Sequence, residues 1–268
     1  MTGNELQNII DKMPNLPTMP NIVMEALNII GNPKSNINQL SGIISKDSSL
    51  TMQMLKLVNS AYYGFPTQIT TINKAMALLG LNKVKSLVMS VAVQPMMMSY
   101  YGVSLWEHSI RCAVGCQILS KSLGQGETDE AFVMGLLHDI GKTIFEIHNK
   151  GALSEIDKLV KLGADRLTAE KMMFGFDHTE IGQQLIDKWR LPALISNCVR
   201  YHHNPQSSEN ISLVGIVYVA DKVSQEKLQY PILDSDIIDS LDFDIPDPQN
   251  LREEIFETSQ SIINALAK

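Results

Sequence analysis

From Asn21 to the C-terminus, apolar residues recur at three- and four-residue steps, and strand-like alternation is scarce. In "LPTMPNIVMEALNII", Val23, Leu27 and Ile30 share one helical face behind Pro20, which a first helical turn tolerates. The same spacing predicts helices in "NINQLSGIISK", "SSLTMQMLKLVNSAYY", "TINKAMALLG" and "NKVKSLVMSVAV". Gly31-Asn32-Pro33, Gly64-Phe65-Pro66 and Gly80 punctuate them. After "YYGVS" a second helical series begins around Trp106. The pattern predicts an all-α chain in two packed helical lobes, residues 1–98 and 99–268, with no sheet of consequence.

At 268 residues and 44% apolar composition, the chain can bury a large core. A formal charge of -7 argues against a nucleic-acid backbone or an anionic membrane as the main partner, since both attract basic surfaces. The longest apolar run, "SLVMSVAVQPMMM", is interrupted by Gln94 and Pro95 and is expected to be too short to span a bilayer. No signal peptide is read at the N-terminus, and Cys112, Cys116 and Cys198 lack disulfide-framework spacing, so a cytoplasmic location is expected. Gly124 to Glu127 and "NPQSSEN" read as loops, and "DSDIIDSLDFDIPDP" as an acidic connection before a terminal helix.

All six histidines lie in the second series. In "DEAFVMGLLHDIGKTIF", read as one helix, apolar residues surround His138 and Asp139, and Lys142 follows one turn beyond His138. A desolvated acid needs a partner. Such a pair can ligate a divalent cation, the carboxylate can bridge two cations, and the lysine can hold a phosphate oxygen; a buried polar pair satisfied by neighbouring helices is the plain alternative.

His108, Cys112 and Cys116 follow at four-residue steps, but no fourth soft ligand completes a closed zinc site, so the cysteines read as buried small residues. Asp177 and Glu180 match a capping box, which by itself makes His178 a surface histidine. His202 and His203 end a helix opened by Pro192; adjacent helical residues point about 100° apart, so the two should serve different ions, or an ion and its substrate. Asp221 is the lone acid in "ISLVGIVYVADKV", a costly position unless something cationic meets it.

This order of residues resembles the HD superfamily of metal-dependent phosphohydrolases, whose ligands run His, His-Asp, Asp: here His108, His138, Asp139 and Asp221, with Lys142 matching the lysine that often follows the pair. His178, His202 and His203 are similar to the longer, two-metal set of the HD-GYP subgroup. The stretches "LVNSAYYG", "LLG", the Glu170-to-His178 spacing and the "W-x-LP" break occur in the order of the HDOD family, HD-related output domains of bacterial signal transduction, over roughly residues 8 to 225. That resemblance implies one or two divalent ions, with iron, manganese, magnesium, nickel and zinc undistinguished by the donors. It also implies a regulatory role with a signalling protein partner or a nucleotide ligand, and Asp139 and Lys142 as the catalytic pair of any activity.

Two features depart from the two-metal enzymes. "HHNPQSSEN" stands where those enzymes carry an acid and a DGxGYP loop, so cyclic di-GMP hydrolysis is not expected. Position 104, one turn before the first histidine, is Ser rather than an acid, and Glu107 lies elsewhere on the helix surface. The competing expectations are a regulatory module and a phosphohydrolase in which a metal-activated water attacks phosphorus.

Overall fold

Pro20 leads into a helix over Asn21–Ile30 (α1). Asn36 opens Ile37–Ile44 (α2) with a reciprocal cap: its side chain accepts the Gln39 N–H at 3.0 Å, and Gln39 accepts the Asn36 N–H at 3.0 Å. Asp47 caps Ser48–Val58 (α3) by accepting the Leu50 N–H at 2.9 Å. The computed structural model describes residues 17–32, 34–101, 103–124, 128–226 and 231–266, and among them every regular element is helical, as the periodicity predicts. The breaks expected at Pro33 and over residues 125–127, and any structure before residue 17, lie outside the described residues.

The long helix Ile72–Tyr101 (α4) is two helices joined at a kink, because Gly80 takes φ 77° and ψ 167°, a backbone state open to glycine. The expected stop at Gln94 and Pro95 does not occur. Pro95 is exposed, so the hydrogen bond it cannot donate is lost on the solvent side, and buried Gln94 donates to the Leu266 carbonyl. Continued this far, Ile72–Met98 is long and apolar enough to cross a membrane, correcting the shorter reading; 56% of its most apolar window is buried inside the fold, as in a core helix. The helix also runs through the junction expected at residues 98 and 99.

Val103–Ser122 (α5), Thr128–Leu137 (α6), Lys142–His148 (α7), Ala152–Lys161 (α8) and Arg166–Phe174 (α9) follow, then His178–Lys188 (α10) and Ala193–Tyr201 (α11). A short 3-10 turn, Pro205–Ser207, interrupts the expected loop at 204–210. Ile211–Val223 (α12), the short Ser235–Ile238 (α13) within the acidic connection, and Pro248–Leu266 (α14) complete the chain.

Helices apolar on all sides must lie inside. Accordingly, Ala131 through Leu137 are buried without exception in α6, and only Ile211, Ser212, Leu213 and Lys222 escape burial in α12. Both pack on α5, which α14 also covers. The segment before α1 is tied to the end of α10 where the Trp189 indole N–H donates to the Pro17 carbonyl at 3.1 Å. The polar cluster described next draws on α5 and α12, on the turns that follow α6 and α11, and on the start of α10.

Candidate metal centre

The "LLHDIGK" stretch is not one helix. α6 ends at Leu137, and α7 begins at Lys142. Between them the Ile140 N–H donates to the Leu137 carbonyl and the Lys142 N–H to the Asp139 carbonyl, each at 3.0 Å. The cause is the approach of α10. A Cβ on Gly141 would stand 2.0 Å from the His178 carbonyl oxygen and 2.8 Å from the Gly182 nitrogen, so the turn admits a neighbouring backbone that a side chain would exclude. In this turn Lys142 Nζ meets Asp139 Oδ2 at 2.5 Å instead of lining up one turn beyond His138.

The capping box at α10 is present: Asp177 accepts the Thr179 and Glu180 N–H groups at 2.9 Å, and Glu180 accepts the Asp177 N–H at 3.0 Å. His178, however, is fully buried rather than on the surface, because α10 docks its first turn against Gly141. Arg190, at φ 55°, turns the chain sharply within the "W-x-LP" break, so the end of α11 returns to the start of α10. His202 Nε2 then lies 3.4 Å, and His203 Nε2 3.1 Å, from His178 Nε2. The divergence expected of His202 and His203 does not arise. α11 stops at Tyr201, His202 is its C-cap, still in the right-handed helical region, and His203 follows in a turn, with the two ring centroids 4.1 Å apart.

Two donor groups result. Asp139, His178, His202 and His203 form one, with one candidate ligand atom from each lying within 4.8 Å of the others; His108, His138 and Asp221 form the second by the same measure. Asp139 joins them: Oδ1 is 3.3 Å from His178 Nε2, and Oδ2 is 3.3 Å from His138 Nε2. His108 Nε2 lies 3.1 Å from Asp221 Oδ1 and 3.6 Å from Asp139 Oδ2. All seven sequence candidates, and Lys142, therefore meet in one place.

The imidazoles are oriented from behind. His138 Nδ1 is 2.7 Å from the Gly135 carbonyl, His202 Nδ1 is 2.9 Å from the Val199 carbonyl, and His178 Nδ1 is 2.7 Å from Glu170 Oε2. A carbonyl only accepts, so Nδ1 of His138 and His202 carries the proton, and in the neutral ring Nε2 presents a lone pair. Between His178 and His202, each held at Nδ1, the Nε2 atoms of the neutral rings face each other across 3.4 Å and cannot satisfy one another. Asp139 Oδ1 and Asp221 Oδ2 are likewise buried without a hydrogen-bond donor. A cation among these atoms would answer all of them, and mixed imidazole and carboxylate donors suit a divalent transition-metal ion.

Protonation follows the same geometry. Burial resists charge on His138, but Asp139 and Asp221 outweigh it and push its pKa up to about 10. Burial, together with the other imidazoles, holds His202 and His203 well below the usual histidine range. Burial opposes charge on Asp139, yet His138 and Lys142 hold its carboxyl well below the usual carboxylate range.

Glu170 is the supporting residue whose role the sequence reading missed. It is fully buried in α9, and its Oε2 accepts from both the backbone N–H and the ring Nδ1 of His178. The signal was a lone acid at a core position. As expected, Glu107 turns away to pair with Arg111 at 3.1 Å, Cys112 and Cys116 are buried outside both donor groups, and His148 is exposed. Ser104 lines the mouth.

The cluster opens into a cavity of about 760 Å3, reached past His108, Lys142 and His203 and walled further out by Leu105, Tyr218 and Ile232. An all-helical fold that gathers histidines and aspartates in this chain order is of the HD type. The HDOD domain profile matches residues 16–205, and the chain belongs to that family. An HDOD domain protein of unknown function from Geobacter sulfurreducens superposes with a TM-score of 0.80 at 23% identity, covering 99% of this chain and 97% of that one. A candidate phosphohydrolase from Shewanella amazonensis SB2B gives 0.78 at 26% identity, covering 97% of each. An uncharacterized protein of Treponema pallidum is 30% identical over 205 residues, covering 74% of this chain; the chain spans 39% of that relative's length.

Proposed function

We propose that this chain is a regulatory output module of bacterial signal transduction, acting in the cytoplasm. In this reading the lobe to residue 98 presents a binding surface for a signalling partner, and the lobe from residue 99 holds a divalent ion on His108, His138, Asp139, His178, His202, His203 and Asp221. The observation that carries the ion is the set of Nε2 atoms aimed inward while Nδ1 is held from behind. The family carries the regulatory role.

A phosphohydrolase is the second reading, favoured by the open cavity and by Lys142 beside the Asp139 carboxylate. When bound, the ion would supply an activated water and offset charge developing on phosphorus. Asp139 would share its two oxygens between the donor groups, and Lys142, only partly buried, would swing from Asp139 to a phosphate oxygen. Six acidic and five basic side chains line the cavity, so one divalent cation turns the balance positive and favours an anionic ligand.

Purified protein should bind divalent metal stoichiometrically, identified by anomalous scattering, and should hydrolyse cyclic di-GMP slowly or not at all with metal supplied. "HHNPQSSEN" offers nothing to position a bulky dinucleotide, and positioning accounts for several kcal/mol of such a barrier. Multiple-turnover cleavage of cyclic di-GMP that disappears in H138A would overturn the regulatory reading in favour of the enzyme.

A further inference from the structure

The "LVNSAYYG" stretch takes no part in the metal centre, yet it walls a second cavity of about 920 Å3 between α4, α5 and α6. The rings of Tyr62 and Tyr63 stand at 86° to each other with centroids 4.9 Å apart, and Phe65 and Phe132 extend the aromatic lining. Behind them runs a polar chain: the Tyr62 hydroxyl donates to Gln117 Oε1, and Gln117 Nε2 donates to Asp129 Oδ1 at 3.3 Å. Among the described residues, Asp129 Oδ2 and the Tyr63 hydroxyl have no hydrogen-bond partner. Exposed Lys83 and Lys121 stand at the rim, Lys83 within electrostatic reach of Asp129, and exposed Glu254 also lines the cavity.

Each part of this lining has a matching ligand group. A planar ring packs against tyrosine faces, an N–H edge meets the spare acceptor capacity of Asp129, and an anionic tail at the mouth meets the lysines. We propose that this cavity binds a purine nucleotide, base inward and phosphate at Lys83 and Lys121. The volume lies within the range of small-molecule sites.

The cavity is separate from the metal centre: Gln117 stands nine positions beyond His108 on α5, about 13.5 Å along the helix axis. The two are nevertheless joined, since α6 begins at this cavity with Asp129 and leads directly into His138. The proposal stands whether or not a metal binds.

The test is calorimetric titration of the full chain, stripped of metal by a chelator, with GMP and with AMP. Saturable binding of at least one is expected, weakened about tenfold or more in Y63A through loss of stacking. The variant K121E, at an exposed position on the rim, should weaken it several-fold, while K142A at the metal centre should leave it unchanged. Circular dichroism melting of Y63A separates lost binding from lost folding. Absence of saturable binding by either nucleotide would overturn the proposal. So would binding that survives in K121E and folded Y63A but is lost in K142A, which would place the nucleotide in the metal cavity.

Discussion

Glu170 holds His178 at two points: its Oε2 accepts the His178 backbone N–H at 2.9 Å and lies 2.7 Å from the ring Nδ1. A carboxylate in that position fixes both the ring plane and the tautomer of a histidine whose other nitrogen faces Asp139. Glu170→Ala should therefore weaken metal binding about 10- to 100-fold. It should also cost about 1–3 kcal/mol of stability, because two buried donors lose their acceptor. Glu170→Gln, which keeps an acceptor, should fall between the variant and the parent. Competition against a chromophoric chelator reads the affinities, and an alanine variant that binds like the parent would remove Glu170 from the site.

Asp139 faces both donor groups, so its loss should affect both. Asp139→Ala is expected to abolish stoichiometric metal binding and to lower the melting temperature of protein purified with its metal. Elemental analysis and calorimetry check the two halves. An Asp139→Ala protein with the parent's metal content would refute the ligand assignment.

Acidity should compete with the ion. His138, pushed up to about 10, holds its proton more tightly in the folded metal-free chain than in the unfolded one. Its contribution to metal-free stability is thus complete below the ordinary value of 6.5 and is lost as pH rises through about 10. A ligating nitrogen must give up that proton. Because His202 and His203 are already neutral while the pKa of His178 is raised like that of His138, metal affinity should rise with pH by about tenfold per unit or more through neutrality. Binding isotherms at about pH 6, 7 and 8 test this; flat affinity across them would mean that His138 is not a ligand.

The contact at Gly141 predicts a large effect from a single methyl group. Gly141→Ala puts Cβ against the His178 carbonyl oxygen and should destabilise the fold by about 3 kcal/mol. Chemical denaturation measures the loss. A variant within about 0.5 kcal/mol of the parent would show that α10 can retreat freely.

Much of this was legible from residue order alone. The helices followed from periodicity, the cap at Asp177 from its side chain and Glu180, and the convergence of seven ligand candidates from a family resemblance rather than from spacing. What failed was local extrapolation. "DEAFVMGLLHDIGKTIF" has the pattern of one helix, yet it breaks because α10 packs into the turn at Gly141, a contact set from 37 residues downstream. His202 and His203 looked divergent because a 100° step between neighbours was taken to separate their rings, yet both rings reach His178. Pro95 looked like a terminator because the sequence does not say that its missing hydrogen bond would face solvent. Glu170 went unassigned because its partner is supplied by the next helix.

The glycine of "HDIG" also offers a criterion for reading other chains of this fold. Counting histidines inventories the donors but says nothing about whether two backbones can come close enough to pool them. At Gly141 that closeness depends on the absence of one carbon atom. A relative with every histidine and aspartate in place but a larger residue at this position should have its donors divided between two helices that no longer meet, and should be sorted with the chains that hold no ion. One lacking His148 or a cysteine, but keeping the glycine, should be sorted with this protein.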